Sequence, residues 1–172
     1  MSVPRLDPMP ADRPLTLRSA RTQDVPVIQA LVEPLARERV LLQKEAVAYY
    51  EAIQEFVVAE ESDGTLAGFG ALHVMWQDIA EVRTLAVSEA HRGAGVGHLI
   101  IEELLDRARA VGVERVFCLT FEVEFFRRHG FEVMADQSAV DPEVYAELLR
   151  STDEGVAEFL DLARVKPNTL GL

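Results

Sequence analysis

Cysteine is almost missing from this chain of 172 residues: Cys118 stands alone, so an intrachain disulfide and any paired-cysteine metal knuckle are both excluded. Flanked by Val116, Phe117 and Leu119, its thiol reads as a packed core group rather than a nucleophile. The four histidines, His73, His91, His98 and His129, never fall into an HxxxH or HExxH spacing, and no metal centre is expected. Basic residues are also scarce. Against 29 acids stand 17 lysines and arginines, a formal net charge of −12. Such a field repels nucleic acid and anionic bilayers, which removes both as main partners. A small anionic ligand would need a locally basic pocket on an acidic body. No stretch approaches the roughly 20 apolar residues of a membrane span, and no apolar signal core stands near the start. A cytoplasmic setting is the expectation.

What is present suits one folded unit. The chain is 49% hydrophobic and 27% charged, ordinary globular material, and long enough for one sizeable core. Residues 1–13, with Pro4, Pro8 and Pro10, read as a flexible leader, and 14–172 as a single domain. Leu15–Ser19 reads as a strand and Thr22–Tyr50 as helical with an interruption near Pro34. Phe56–Ala59, Leu66–Met75 and Ile79–Val87 form an antiparallel meander, turned by Ser62-Asp63-Gly64 and Trp76-Gln77-Asp78. Val96, Leu99, Ile100, Leu104, Ala108 and Val111 then recur at helical spacing, with Gly112 as the C-terminal stop. Arg115–Thr120 reads as a buried strand parallel to the one before the helix. A short helix over Val123–His129, a strand over Phe131–Met134, and helices opening at Asp141-Pro142 and at Thr152 or Asp153 complete the pattern. The class is α+β, antiparallel first and parallel afterwards.

Between the third meander strand and the long helix lies Arg92-Gly93-Ala94-Gly95-Val96-Gly97. Glycines this close let backbone approach a ligand, and N–H groups at the positive end of a helix suit a diphosphate. Without Gly-Lys-Ser/Thr this is no Walker A loop, and its spacing is not the dinucleotide fingerprint. Taken alone, it reads first as a tight strand-to-helix turn with no ligand.

Together, AEVRTLAV at 80–87 and Arg92-x-x-Gly95-x-Gly97 closely resemble the acetyl-CoA motif of the GCN5-related N-acetyltransferases (GNAT). Phe125-Phe126-Arg127-Arg128-His129-Gly130-Phe131 resembles the final motif of the same family. The resemblance spans roughly residues 15–134. It implies a GNAT fold: a mixed twisted sheet whose fourth and fifth strands are parallel and splayed, flanked by helices. It also implies acetyl-CoA as co-substrate, with its pyrophosphate on Arg92, Gly93, Ala94, Gly95, Val96 and Gly97. The pantetheine arm would run along Leu85, Ala86 and Val87. An N–H near Ala86 or Val87 would then polarise the thioester carbonyl. Phe126, a further cofactor-binding residue on this resemblance, falls where many members carry a tyrosine that protonates the departing sulfur. Phe cannot do so, and a thiol leaves as thiolate without much help.

The acceptor must lose a proton before it attacks. Glu81 stands where several family members place a base, and strand alternation puts it on one face with Arg83 and Leu85. The competing reading makes Glu81 an ion-pair partner of Arg83. His73, on the neighbouring strand, is the second candidate base or a structural histidine.

Several strings are similar to the acetyltransferase part of N-acetylglutamate synthases of arginine biosynthesis: RVLLQK at 39–44, FVVAE at 56–60, GALH at 70–73, Leu119-Thr120 and the stretch 162–171. On that resemblance the acceptor is a small amino acid, with Arg83, Lys44, Thr120 and Lys166 as substrate-binding residues. Two carboxylates need fixed cations, and Arg83 is the strongest. Lys44 replaces the usual arginine and cannot grip bidentately, and both lysines are equally readable as solvated charges. Glu122 adds an acid near the splay, which keeps glutamine beside glutamate as the acceptor. A peptide N-terminus, another small amine, or a non-catalytic acyl-CoA sensor stand as alternatives. A homodimer is left open.

Overall fold

In a computed structural model of the chain, residues 14–38, 41, 44–134, 142–151 and 169–171 are described. The expected leader and the helix expected near Thr152 lie outside them. The framework is a seven-stranded sheet in the order β1-β2-β3-β4-β5-β7-β6. Strand β1 (Thr16–Ser19) pairs antiparallel with β2 (Phe56–Glu60), β2 with β3 (Leu66–Val74), and β3 with β4 (Ile79–Val87). Helices α1 (Val25–Arg37) and α2 (Ala46–Glu51) fill the long connection from β1 to β2. After β4 the chain crosses through α3 (Val96–Val111) to β5 (Arg115–Leu119), which runs parallel to β4. Helix α4 (Val123–Arg127), β6 (Glu132–Val133), α5 (Pro142–Leu148) and β7 (Thr169–Gly171) follow. This is the mixed α+β GNAT fold expected.

The parallel pairing is short. Residues Ile79–Val82 pair with Arg115–Cys118, and beyond Val82 the β5 side of β4 has no strand partner among the described residues. That is the splay, and it leaves five residues of β4 with one open edge.

Three readings need correction. Pro34 does not interrupt the first helix but lies inside α1, close to its end at Arg37. Burial of Val25, Ile28 and Val32 against the sheet outweighs the one lost backbone bond. The stripe α3 buries is Val96, Ile100, Ile101, Leu104, Leu105 and Ala108, while Leu99 and Val111 are exposed. At 100° per residue the stripe centres on Ile100 and Leu104, and Leu99 is rotated away from it. Strand β7 has no counterpart in the sequence pattern, because its three residues are defined by antiparallel pairing with both β5 and β6.

The two faces are packed differently. On one, α3 covers a continuous core that includes Val57, Ala59, Ala67, Leu72, Ala80, Val82, Val116 and Cys118. On the other, α1 and α2 cover Phe56, Val58, Phe69, Ala71 and Ala86. A separate cluster of Met75, Ile79, Phe117 and Leu148 lies beyond, with α5 against it. Asp24 fastens α1 to the frame: Arg18 grips its carboxylate at 2.7 and 3.0 Å, and the Arg21 N–H donates to it at 2.7 Å.

Candidate active site

The splay opens above a break in the β4 ladder. Phe69 pairs with Ala86 and Ala71 with Arg83, so Gly70 alone faces two residues, Thr84 and Leu85. Thr84 takes a φ of 54°, the only non-glycine residue with positive φ among those described. A β-branched residue tolerates that region poorly, and its presence here marks a bulge held in place by the surrounding ladder. The bulge reverses the alternation: Leu85 and Val87 turn to the α3 face and Ala86 to the other. The expectation that Leu85 shares a face with Glu81 and Arg83 is therefore corrected. A side chain at Gly70 would meet Ile100, Leu104 and Leu85 at 3.0 Å, so only glycine lets the bulge and α3 close over it. The strain at Thr84 was not legible in the sequence.

The glycine loop joins β4 to α3. Gly93 and Gly95 have φ of 79° and 80°, and nothing lies within 4 Å of where a Cβ would stand on either. Gly95 caps α3, whose first N–H groups lack partners within the helix and point toward the loop. Arg92 is exposed, and no described residue pairs with its guanidinium. This backbone, with Arg92 beside it, could hold a diphosphate. The loop is anchored behind: His91 bridges Ser88 Oγ, at 2.6 Å, and the buried Glu61 carboxylate. Phe125 lies over Gly97, where a Cβ would meet its ring at 3.1 Å. Phe126 instead points inward, packed edge-on against Phe125 and Phe131 in the α3-side core.

On the opposite face a charged strip separates the two apolar clusters. Arg83 donates from Nε and Nη2 to Glu81 Oε2 at 3.0 and 2.8 Å, and both side chains are buried. Burial pushes the Glu81 carboxyl above its ordinary range, while the charges of Arg83, His73 and Lys44 oppose the shift. His73 stands directly across the ladder from Glu81. Its Nδ1 is 2.8 Å from Glu55 Oε1. The structure thus brings Glu81, Arg83, His73 and Lys44 together, and adds Glu55, which the sequence did not single out. Thr120 lies past the end of β5, where its Oγ1 accepts the Glu122 N–H at 2.9 Å. Glu122 is exposed. Lys166 lies outside the described residues. Cys118 is in the α3-side core, its thiol pushed up by burial and by Glu81, as suits a packing residue. Among the described residues, no group of three or more His, Cys, Asp or Glu is arranged to hold a metal. No helix among them is long and apolar enough to cross a membrane.

Residues 27–131 match the model of the acetyltransferase (GNAT) family. The chain is 52% identical to an amino-acid acetyltransferase of Mycobacterium tuberculosis, covering 94% of this chain and 93% of that one. It is 32% identical to an amino-acid acetyltransferase of Neisseria meningitidis over 71% of this chain, but spans only 28% of that longer protein. Among solved structures, a Mycobacterium tuberculosis protein in complex with CoA and NLQ superposes with a TM-score of 0.85 at 48% identity, covering 91% of this chain and 98% of that one. The N-acetylglutamate synthase of Neisseria gonorrhoeae, complexed with coenzyme A and N-acetyl-glutamate, gives 0.74 at 26% identity, over 93% of this chain and 35% of the synthase. With the splay, the bulge and the glycine cradle in place, this chain belongs to the acetyltransferase (GNAT) family and is an acyltransferase using acetyl-CoA.

Proposed function

We propose that the chain acetylates the α-amine of L-glutamate or L-glutamine, the former being the first step of arginine biosynthesis. The observation that carries this reading is the strip of opposite charges set between two apolar patches, with Glu81, Arg83, His73 and Lys44 in one group. An α-amino acid brings both an ammonium and a carboxylate, and this strip offers a partner for each. The relatives point the same way, toward amino-acid acetylation and, in the gonococcal synthase, toward glutamate.

In this reading Arg83, its guanidinium plane fixed by Glu81, supplies the charge for the amino acid's carboxylate, and Lys44 adds to the field. Thr120 borders the cleft at the end of β5, and Lys166 is kept as a further substrate contact. Leu85, Ala86 and Val87 lie on the open edge of β4 beside the pantetheine arm, with an Ala86 or Val87 N–H toward the thioester oxygen. Residues Arg92–Gly97 take the pyrophosphate. Phe126 closes the floor beneath Phe125 without touching the chemistry, so the sulfur leaves as thiolate or is protonated by water. The α-amine, once neutral, attacks the thioester carbon. Glu81 and His73 are the groups in the strip able to take its proton.

CoA release from acetyl-CoA with glutamate, glutamine, a polyamine and a peptide tests the reading. Turnover with glutamate or glutamine well above the others is expected. Preference for the polyamine or peptide would overturn it, and CoA binding with no turnover on any amine would make the chain a sensor.

A further inference from the structure

Two groups compete for the proton of the incoming amine, and the geometry separates them. Glu81 Oε2 already accepts two N–H groups from Arg83, and the Glu81 side chain is 6% exposed. A proton arriving at Oε2 competes with the guanidinium already bound there. His73 is 19% exposed, and its Nδ1 is 2.8 Å from Glu55 Oε1. No described residue hydrogen-bonds Nε2. The other oxygen of Glu55, Oε2, is buried without a hydrogen-bond partner among the described residues. A carboxylate retained for stability alone would be expected to satisfy both oxygens, because an unpaired buried acceptor is costly. Placed against Nδ1, it selects the tautomer with hydrogen on Nδ1 and leaves the Nε2 lone pair for an incoming proton.

We infer that Glu55 and His73 form the base dyad of this enzyme, with His73 Nε2 as proton acceptor and Glu55 as its positioning residue. Glu81 then serves to hold Arg83. The inference rests on the reading that an amine is acetylated in this cleft. The substrate ammonium gives one proton to Nε2 and becomes a neutral amine, and the imidazolium keeps its Nδ1–H on Glu55. The nitrogen lone pair forms the C–N bond, and the C–S bond breaks with its electron pair on sulfur. The second nitrogen proton passes to the thiolate or to water. The charged groups around His73 are Glu55 on the turn before β2, Glu81 across β4, Arg83 beyond it, and Lys44, whose charge is felt at Glu81. Two of these are acids and two are cations, and of the four only Glu55 contacts the ring.

The test is steady-state kinetics over pH for the wild type and for H73Q, E55Q and E81Q, with acetyl-CoA binding measured by calorimetry as proof of fold. H73Q should lower kcat/KM for the amine by about 10²-fold or more at neutral pH. That loss should shrink as pH rises, because free amine needs no base. E55Q should lose roughly 10-fold in kcat and keep a pH-dependent acid limb, because the ring is no longer held in the tautomer that frees Nε2. KM for acetyl-CoA should not change in either. E81Q should raise the amino acid's KM and keep the acid limb. The proposal falls if E81Q abolishes that limb while H73Q retains it, or if H73Q and E55Q lower rates equally at every pH. Wild-type preference for glutamate or glutamine checks the substrate reading separately, because the variant ratios are measured on whichever amine turns over. An enzyme inert to every amine overturns both.

Discussion

On the α3 face a single apolar layer runs unbroken from β2 to β5, whereas the opposite face carries two separate apolar patches with charged side chains between them. The first face positions backbone. Its helix presents N–H groups and a glycine loop whose chemistry depends hardly at all on side chains. The second face positions side chains, and its chemistry lies in which charges meet. A family can keep the first arrangement for one co-substrate and alter the second for many acceptors. On the function proposed above, the difference separates what is shared with other acetyltransferases from what would select the amine.

Arg83→Ala should break the side-chain half alone. Losing a charge-assisted contact to a carboxylate in a partly desolvated cleft costs on the order of 2–4 kcal/mol, roughly 30- to 1000-fold in kcat/KM for the amino acid. KM for acetyl-CoA should stay nearly constant. The substitution also leaves Glu81 buried without its guanidinium, so melting temperature must be followed beside the kinetics. The double replacement Glu81→Gln with Arg83→Met removes the pair together and should keep the fold while losing the amino acid. Loss of acetyl-CoA affinity in a folded variant would show that the two halves are not separate.

Gly95→Val should break the backbone half. Open space surrounds the new side chain, but the φ of 80° does not suit a β-branched residue. Strain of about 1–3 kcal/mol should fall on the loop, raising KM for acetyl-CoA by roughly 10- to 100-fold. KM for the amino acid should hardly move. Calorimetry with CoA checks this, and unchanged affinity would remove the pyrophosphate from the loop.

Asp24→Asn should have the smallest effect on the comparison, because it weakens the frame beneath both halves equally. Arg18, followed by the Arg21 N–H, holds the Asp24 carboxyl below its ordinary value, against the pull of burial. Its folded pKa is depressed, so its stabilisation is complete above the unfolded value of about 3.9 and is lost as pH falls through the folded one. The variant should lose about 2–4 kcal/mol at neutral pH and depend less on pH below 4 in thermal melts. Both KM values should remain as in the wild type well below the melting temperature. A variant as acid-sensitive as the wild type would place the effect elsewhere.

The two halves also differed in how far the sequence disclosed them. The glycine loop and α3 were legible because their signals are local: a run of glycines, a helical period and a terminal Gly112. The meander followed from alternation and turn residues, and Ile79–Val87 was placed at its observed bounds. The bulge was not legible, since it depends on Gly70 facing two residues of another strand. Reading strict alternation across it put Leu85 on the wrong face. Glu55 was missed because its partner His73 is 18 positions away and reaches it only when β2 and β3 pair. Strand β7 was missed because three residues carry no period, and their role comes from β5 and β6 on either side. Arg83 and Glu81 were singled out, yet sequence alone left open whether they act on substrate or on each other, and the structure pairs them.

The most direct test of the account is to offer the enzyme acetyl-CoA with L-glutamate, L-glutamine and a peptide bearing a free N-terminus in one mixture, and to identify the products by mass spectrometry. N-acetylglutamate or N-acetylglutamine, modified on the α-nitrogen, should dominate. Dominant acetylation of the peptide, with both amino acids untouched, would contradict it.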